Sequence, residues 1–110
     1  MKLLTKEIKA KLEKNAAEGW TDAKPVVKFF NPCGAATWLI SELDEDGDTM
    51  FGLCDLGFGE PELGYVSLAE FKAAKVPPFG LGIERDLHWT PEKTLKEYAD
   101  EARLDGHIKS

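Results

Sequence analysis

Apolar residues recur every four positions near the start of the chain, at Leu4, Ile8 and Leu12. This spacing places them along one side of a helix, so it predicts an amphipathic helix over residues 1–19. Thr5 comes just before the first full turn, and its hydroxyl is suited to accept a backbone N–H as an N-cap.

β-Branched and aromatic residues occur in short runs through the middle of the chain, a composition typical of strands. Three strands are predicted, over residues 25–30, 37–43 and 49–56. The last two are separated by a short acidic segment in which Asp46-Gly47 suits the positive-φ positions of a tight hairpin. Gly52, in the interior of the third strand, indicates a bulge or the close approach of a neighbouring backbone.

The second half of the chain contains clear signals for helix starts. Ser67, followed three residues later by Glu70, forms a capping box that predicts a short helix to about residue 74. Before it, residues 57–64 are rich in Gly and Pro and are predicted to form a loop, and Tyr65-Val66 is predicted to be a short strand end. After it, the alternation of apolar and polar residues over 81–89 predicts a half-buried strand.

A C-terminal helix is predicted with two competing starts. Thr90 before Pro91 is one start signal, and Thr94 three residues before Glu97 is the other. Either start places one apolar face on the helix, which ends near Gly106. The face consists of Leu95, Tyr98, Ala99 and Ala102.

Together these elements predict an α+β fold. An antiparallel sheet of about four strands is expected to carry the N-terminal, central short and C-terminal helices packed on it, covering one face. With 110 residues, 43% of them apolar and 31% charged, the chain is expected to form a single globular domain over residues 1–110. Lysines interrupt the first segment and no apolar run is membrane-length, so a cytoplasmic protein with reduced Cys33 and Cys54 is expected.

Three segments carry a family resemblance: GAATWLISELD, FGLCDLGFGEPELGYVSLAEF and GIERDLHWT. They resemble the bacterial family catalogued as domain of unknown function 2958, and the likeness runs in order over residues 3–98. The resemblance implies a small cytoplasmic accessory protein of the kind carried on plasmids and other mobile elements, near anti-restriction and conjugation genes. It supplies no catalytic residue that can be transferred to this chain.

The charge distribution favours a protein partner over nucleic acid. The net charge is −6, and residues 29–71 contain nine acidic residues and no Lys, Arg or His. Such a region repels phosphates, so direct binding to nucleic acid is not expected. Our first hypothesis is therefore a non-enzymatic protein that binds a protein partner, with phosphate mimicry against a basic defence enzyme as a narrower version of it.

The expected partner-binding residues fall in the acidic hairpin tip and in the glycine-rich loop. They are Phe58, Glu60, Glu62, Asp44, Asp46 and Asp48. For Phe58 two alternatives are open: flanking glycines hold the ring out as an anchor, or the ring folds back onto the core.

The rival hypothesis is a metal-dependent hydrolase or nuclease with a carboxylate cluster. Its residues are Asp55, Glu62, Glu84, Asp86 and His88. They meet only if the strand that contains Glu84 lies beside the strand that ends at Asp55, where they would suit Mg²⁺ or Mn²⁺. No metal or other cofactor is assigned, since the acidic tip, aligned as a calcium loop, has Leu53 where the closing bidentate carboxylate belongs.

Overall fold

The computed structural model of the protein describes residues 2–18, 23–74 and 82–110. Its elements in chain order are α1 (Lys6–Glu18), β1 (Val27–Phe30), β2 (Thr37–Leu43), β3 (Thr49–Asp55), β4 (Glu62–Ser67), α2 (Leu68–Ala73), β5 (Glu84–Arg85) and α3 (Leu95–Asp105). Met1, Gly19 and Leu81, at which predicted elements begin or end, lie outside the described residues.

The five strands form one sheet in the order β4-β3-β2-β1-β5, and every neighbouring pair is antiparallel. The predicted α+β class is confirmed, with five strands where about four were expected. The extra strand is β4, which extends the strand end predicted at Tyr65-Val66 back to Glu62, into the segment predicted to be a loop. The strand predicted over 81–89 is only two residues long and pairs with β1 at the opposite edge.

Helices cover both faces of the sheet, not one as expected. α1 and α2 pack on one face around Leu12, Phe29 and Met50, whereas α3 packs on the other. The reason lies in β2, where Trp38, Leu39 and Ile40 are consecutive and all buried. Since successive strand side chains point to opposite faces, three buried neighbours require cover on both sides.

Side-chain caps set the start of each helix. The Thr5 hydroxyl accepts the backbone N–H of Ile8 at 3.1 Å, as predicted. Ser67 accepts the N–H of Glu70 at 3.2 Å. For α3, Thr94 and Glu97 form a complete capping box, which decides between the two competing starts. The α3 helix ends at Gly106, whose φ of 77° is left-handed.

A β-bulge in β2 sets which side chains enter the core. Between Ile40 and Glu42 the register with β3 shifts by one residue, which leaves Ser41 as the extra residue. Strict alternation would bury Glu42 on the same face as Trp38 and Ile40. The bulge instead brings Leu43, which is 1% exposed, onto the α1 side.

Gly52 lies opposite this bulge and confirms the predicted close approach. A Cβ at Gly52 would sit 2.1 Å from the carbonyl oxygen of Leu39 and 2.8 Å from the Cα of Ile40. These are backbone atoms of the next strand, so no side-chain rotation relieves the overlap. Gly64, its direct partner in β4, has nothing within 4 Å of the same position.

The β2–β3 hairpin differs from the predicted type. Gly47 has a φ of 72°, but no residue other than glycine has a positive φ in the described part of the chain, so Asp46 is not left-handed. The Gly47 N–H donates to the Asp44 carbonyl at 3.0 Å, which closes a four-residue turn over residues 44–47. The Asp46 side chain accepts the N–H groups of Asp48 and Thr49, and these hydrogen bonds favour this turn over the two-residue type.

Gly52 and its partner Gly64 give a matched test of the close approach between the β2 and β3 backbones. We expect Gly52→Ala to lower the free energy of unfolding by about 3 kcal/mol, since the strand backbones must move apart. Gly64→Ala should leave stability unchanged or raise it by up to about 1 kcal/mol, because its Cβ meets no atom and the unfolded chain loses freedom. Urea unfolding of both variants measures the difference, and equal stabilities would contradict this account.

Candidate functional site

The β3–β4 connection displays an aromatic ring to solvent. Residues 56–61, here called the Phe58 loop, link the two strands, and the Phe58 side chain is 83% exposed. The flanking Gly57 and Gly59 have φ values of 89° and 82°, a backbone conformation that favours glycine. The structure therefore decides between the two alternatives for this ring: the glycines hold it out, and it does not fold back.

The buried carboxylate of Asp55 holds the base of the Phe58 loop. Asp55 is 3% exposed, and its Oδ1 accepts the N–H of Gly57 at 2.8 Å. Its Oδ2 accepts the N–H of Ile108 at 3.0 Å, in the segment that follows α3. Both oxygens thus bind backbone donors, and they connect the loop to the C-terminal segment.

The acidic hairpin tip is stabilised by its own carboxylates. Asp46 Oδ1 accepts the N–H groups of Asp48 and Thr49, each at 2.8 Å, and its Oδ2 accepts the Thr49 hydroxyl at 2.6 Å. The hydroxyl of Thr49, followed by these two N–H groups, lowers the pKa of Asp46. Asp46 thus maintains the turn, whereas Asp44 and Glu45 are exposed beside it.

Asp48 connects the hairpin to α2. Its carboxylate accepts the Ser67 hydroxyl at 2.8 Å and the N–H of Ala69 at 2.7 Å. Its carbonyl also accepts the N–H of Leu68 at 2.9 Å. Of the predicted partner-binding acids, Asp46 and Asp48 therefore have structural hydrogen bonds.

The predicted partner-binding residues separate into two groups at opposite ends of β3. The three aspartates, at positions 44, 46 and 48, precede the first residue of β3. Phe58 and Glu60 follow its last residue, and Glu62 is the first residue of β4. A strand of this length spans roughly 20 Å. The set is therefore not one continuous contact, and the loop end combines the exposed aromatic ring with two exposed carboxylates.

Within residues 2–18, 23–74 and 82–110, no salt bridge involves the acidic middle of the chain, residues 29–71. Among the described residues, the salt bridges are Lys14–Glu18, Lys28–Asp86, Lys93–Glu101, Lys96–Asp100, Arg103–Asp100 and Lys109–Asp105. None of them includes an acid from residues 29–71. For Glu42, partial burial and then repulsion from Asp44 raise the pKa of the carboxyl. This region therefore presents negative charge with no intramolecular counter-ion in the described part of the chain.

The residues of the hydrolase hypothesis do not come together. Glu84 is in β5, which pairs with β1, so two strands separate it from Asp55 in β3. Three strand spacings amount to roughly 14 Å. Asp86 lies 3.7 Å from Lys28 and also accepts the N–H of His88, while both oxygens of Asp55 accept backbone N–H groups. The condition for this site, β5 beside β3, is not met.

Neither a metal-binding cluster nor a membrane-spanning helix is found among the described residues. No cluster of three or more His, Cys, Asp or Glu side chains within residues 2–18, 23–74 and 82–110 has a geometry suited to a metal ion. Over the same ranges, none of the helices has the length and apolar character required to span a bilayer.

One surface feature was not predicted from the sequence, the aromatic pair of Phe51 and Tyr65 beside the outer edge of β4. The rings of Phe51 and Tyr65 lie 5.0 Å apart, and Tyr65 is 71% exposed. The signal was the alternation of Leu63 and Tyr65 with Glu62, which is typical of a strand, but the Gly and Pro residues around it favoured a loop.

Asp55→Asn tests the connection between the loop and the C-terminal segment. Asparagine keeps one acceptor oxygen and turns an NH₂ group toward a backbone N–H, so we expect a loss of about 2 kcal/mol of unfolding free energy. Hydrogen exchange at Gly57 and Ile108 should accelerate more than exchange in α1. Asp44→Asn, at an exposed position, is the control and should change stability by less than about 0.5 kcal/mol. Equal effects of the two substitutions would contradict the assignment.

Cys54 should behave as an unreactive thiol. Its burial in β3 raises the pKa of the thiol to about 11. Since the thiolate is the nucleophile, we expect iodoacetamide at pH 8 to alkylate the folded Cys33→Ala variant about 100-fold more slowly than the urea-unfolded one. The folded rate should rise with pH up to pH 11. Similar folded and unfolded rates at pH 8 would contradict this expectation.

The model of the family described as "Protein of unknown function (DUF2958)" matches residues 3–109 of the chain. No match was found among curated proteins or among solved structures.

Proposed function

Because this chain belongs to that family, whose description names no activity, we propose from its geometry that it binds a protein partner through the Phe58 loop. The observation that carries the proposal is the 83% exposure of Phe58 on a loop whose base Asp55 holds. Transfer of a phenylalanine side chain from water into a partner's pocket stabilises a complex by about 1.5–3 kcal/mol. A loop already held in place loses little conformational freedom on binding.

The surroundings of the ring favour a partner surface that is basic around an apolar pocket. Glu60 lies in the Phe58 loop, and Glu62 follows the loop at the start of β4. Both side chains are exposed, and neither forms an ion pair within the described residues. Leu56, 57% exposed, adds apolar area next to Phe58. An apolar centre with a charged rim is the usual arrangement of a protein interface.

We extend the proposal to the biological setting that the family resemblance implies. The protein acts as a cytoplasmic accessory protein of bacterial mobile elements and binds a component of host defence, such as a restriction enzyme. The exposed acids of residues 29–71, which form no salt bridge in the described part of the chain, support this extension, because nucleic-acid-binding surfaces carry Lys and Arg that pair with carboxylates as they do with phosphates.

Phe58→Ala tests the proposal. Immobilised wild-type protein and the variant are incubated with bacterial lysate at low and moderate salt, and retained proteins are quantified by mass spectrometry. We expect the variant to retain at least about tenfold less of a specific partner, since a buried aromatic anchor contributes about 2 kcal/mol or more. Its unfolding free energy should stay within about 0.5 kcal/mol of wild type, because the ring contacts solvent.

The matched control is Leu87→Ala. Leu87 is 59% exposed and follows β5 at the opposite edge of the sheet. It should leave retention unchanged. If Phe58→Ala and Leu87→Ala retain the same proteins as wild type, binding through the Phe58 loop is refuted.

A further inference from the structure

The outer edge of β4 is a second candidate contact, next to the Phe58 loop. β4 (Glu62–Ser67) pairs with β3 along one side only, and no strand pairs with its other side in the described part of the chain. The β3–β4 register runs from Thr49–Ser67 to Cys54–Glu62 without a shift. A regular, six-residue free edge offers a row of backbone donors and acceptors to another extended chain.

The free backbone groups can be assigned from one hydrogen bond. The Leu68 N–H donates to the Asp48 carbonyl at 2.9 Å, which continues the β3–β4 ladder by one pair. Bonded and non-bonded pairs alternate along an antiparallel ladder. The β4 residues bonded to β3 are then Glu62, Gly64 and Val66. The N–H and C=O groups of Leu63 and Tyr65 accordingly point away from β3.

The usual protections of an edge strand are missing from β4. Natural edge strands are commonly very short, bulged, or contain Lys or Pro. β5, the other edge of the sheet, is only two residues long. β4 has no bulge, and its sequence ELGYVS contains no Lys or Pro, with Glu62 at its start as the single charge.

The two faces of β4 differ in chemistry. On the α3 face lie Leu63 and the Phe51–Tyr65 ring pair, with Tyr65 71% exposed. On the opposite face Glu62 is exposed, and the space over Gly64 is open, since a Cβ there would meet no atom within 4 Å. A strand added to this edge would direct its side chains alternately to the two faces. One set would lie over the apolar surface of Leu63 and Tyr65, and the other over Gly64, beside the Glu62 carboxylate.

We propose that β4 accepts an extended segment of the partner protein as a sixth strand, with apolar residues alternating with Lys or Arg. The apolar residues contact Leu63 and Tyr65, and a basic side chain crosses Gly64 to reach Glu62. This inference rests on the proposed partner-binding function and specifies how the partner binds. Charge complementarity favours a basic segment over a second copy, which would bring two chains of net charge −6 together at their acidic side.

The test uses the full chain, labelled with ¹⁵N, and defined peptides of about nine residues, a length suited to one strand. The basic peptide alternates valine and lysine, and the acidic peptide alternates valine and glutamate. We expect the basic peptide at about 1 mM to shift the amide signals of Leu63 and Tyr65 and to slow their hydrogen exchange. It should bind at least about tenfold more tightly than the acidic peptide at low salt, and this preference should shrink as salt is added.

Two controls separate strand addition from simple charge attraction. A basic peptide with N-methyl groups along both edges keeps its charges but cannot form the ladder, so it should not bind. Glu62→Gln should weaken binding of the basic peptide about threefold or more, whereas Glu7→Gln, at an exposed position on α1, should not. Neither substitution removes a hydrogen bond or ion pair described for the fold.

Several results would overturn the proposal. These are unchanged Leu63 and Tyr65 amides with the basic peptide, equal binding of the methylated or acidic peptide, and protection of these amides that depends on protein concentration alone, which indicates a second copy. Failure of the peptides while Phe58→Ala still abolishes partner retention would refute strand addition and leave the loop proposal intact. Peptide binding without an effect of Phe58→Ala on retention would refute the loop proposal alone.

Discussion

The close approach of the β2 backbone to Gly52 in the neighbouring strand β3 is the constraint on which the rest of the structure depends. At this point the backbones of two central strands occupy the space of a side chain, with 2.1 Å between an ideal Cβ and the Leu39 carbonyl oxygen. The adjacent bulge at Ser41 brings Leu43, and not Glu42, into the core beneath α1. The Ser41 carbonyl accepts the side-chain amide of Asn15 at 2.9 Å, so α1 is positioned against the same irregularity. The side chains that the second half of β2 presents to α1, and the position of α1 itself, therefore depend on this close approach.

At both ends of β3, an aspartate carboxylate makes hydrogen bonds to a segment distant in sequence. Asp48 binds the start of α2, and Asp55 binds the segment after α3. These residues form hydrogen bonds with backbone N–H groups, which carboxylates accept strongly. Acidity alone is therefore a poor guide to a binding surface in this chain. The acids that remain exposed, such as Glu60 and Glu62, are the ones that shape the proposed contact.

Local signals in the sequence predicted the elements that local chemistry determines. The bounds of β2, the Thr5 cap and the buried face of α3 agree with prediction, because periodicity and cap residues are read within a few positions. β4 was predicted only at Tyr65-Val66, since Gly64 and Pro61 favour a loop locally and only the ladder with β3 makes the whole segment a strand. Propensity is weak where neighbouring strands decide the outcome.

The candidate site shows the same difference between what local sequence signals predict and what long-range contacts determine. The glycines beside Phe58 left two alternatives open in the sequence, and only the structure, in which the ring is exposed and both glycines have positive φ, decides between them. The hydrolase set failed on strand order, which no local pattern contains: the residues around Glu84 pair with β1 and not with β3.

The hydrogen bond from the Ile108 N–H to Asp55 has a practical consequence for work with this protein. An affinity tag or fluorescent fusion placed behind residue 110 would begin three positions after that donor. Strain at this junction would reach Gly57 through the shared carboxylate and displace the aromatic ring that a binding assay is meant to report. A fusion ahead of α1 leaves both donors of Asp55 in place, and it is the arrangement in which immobilised protein keeps its loop as described.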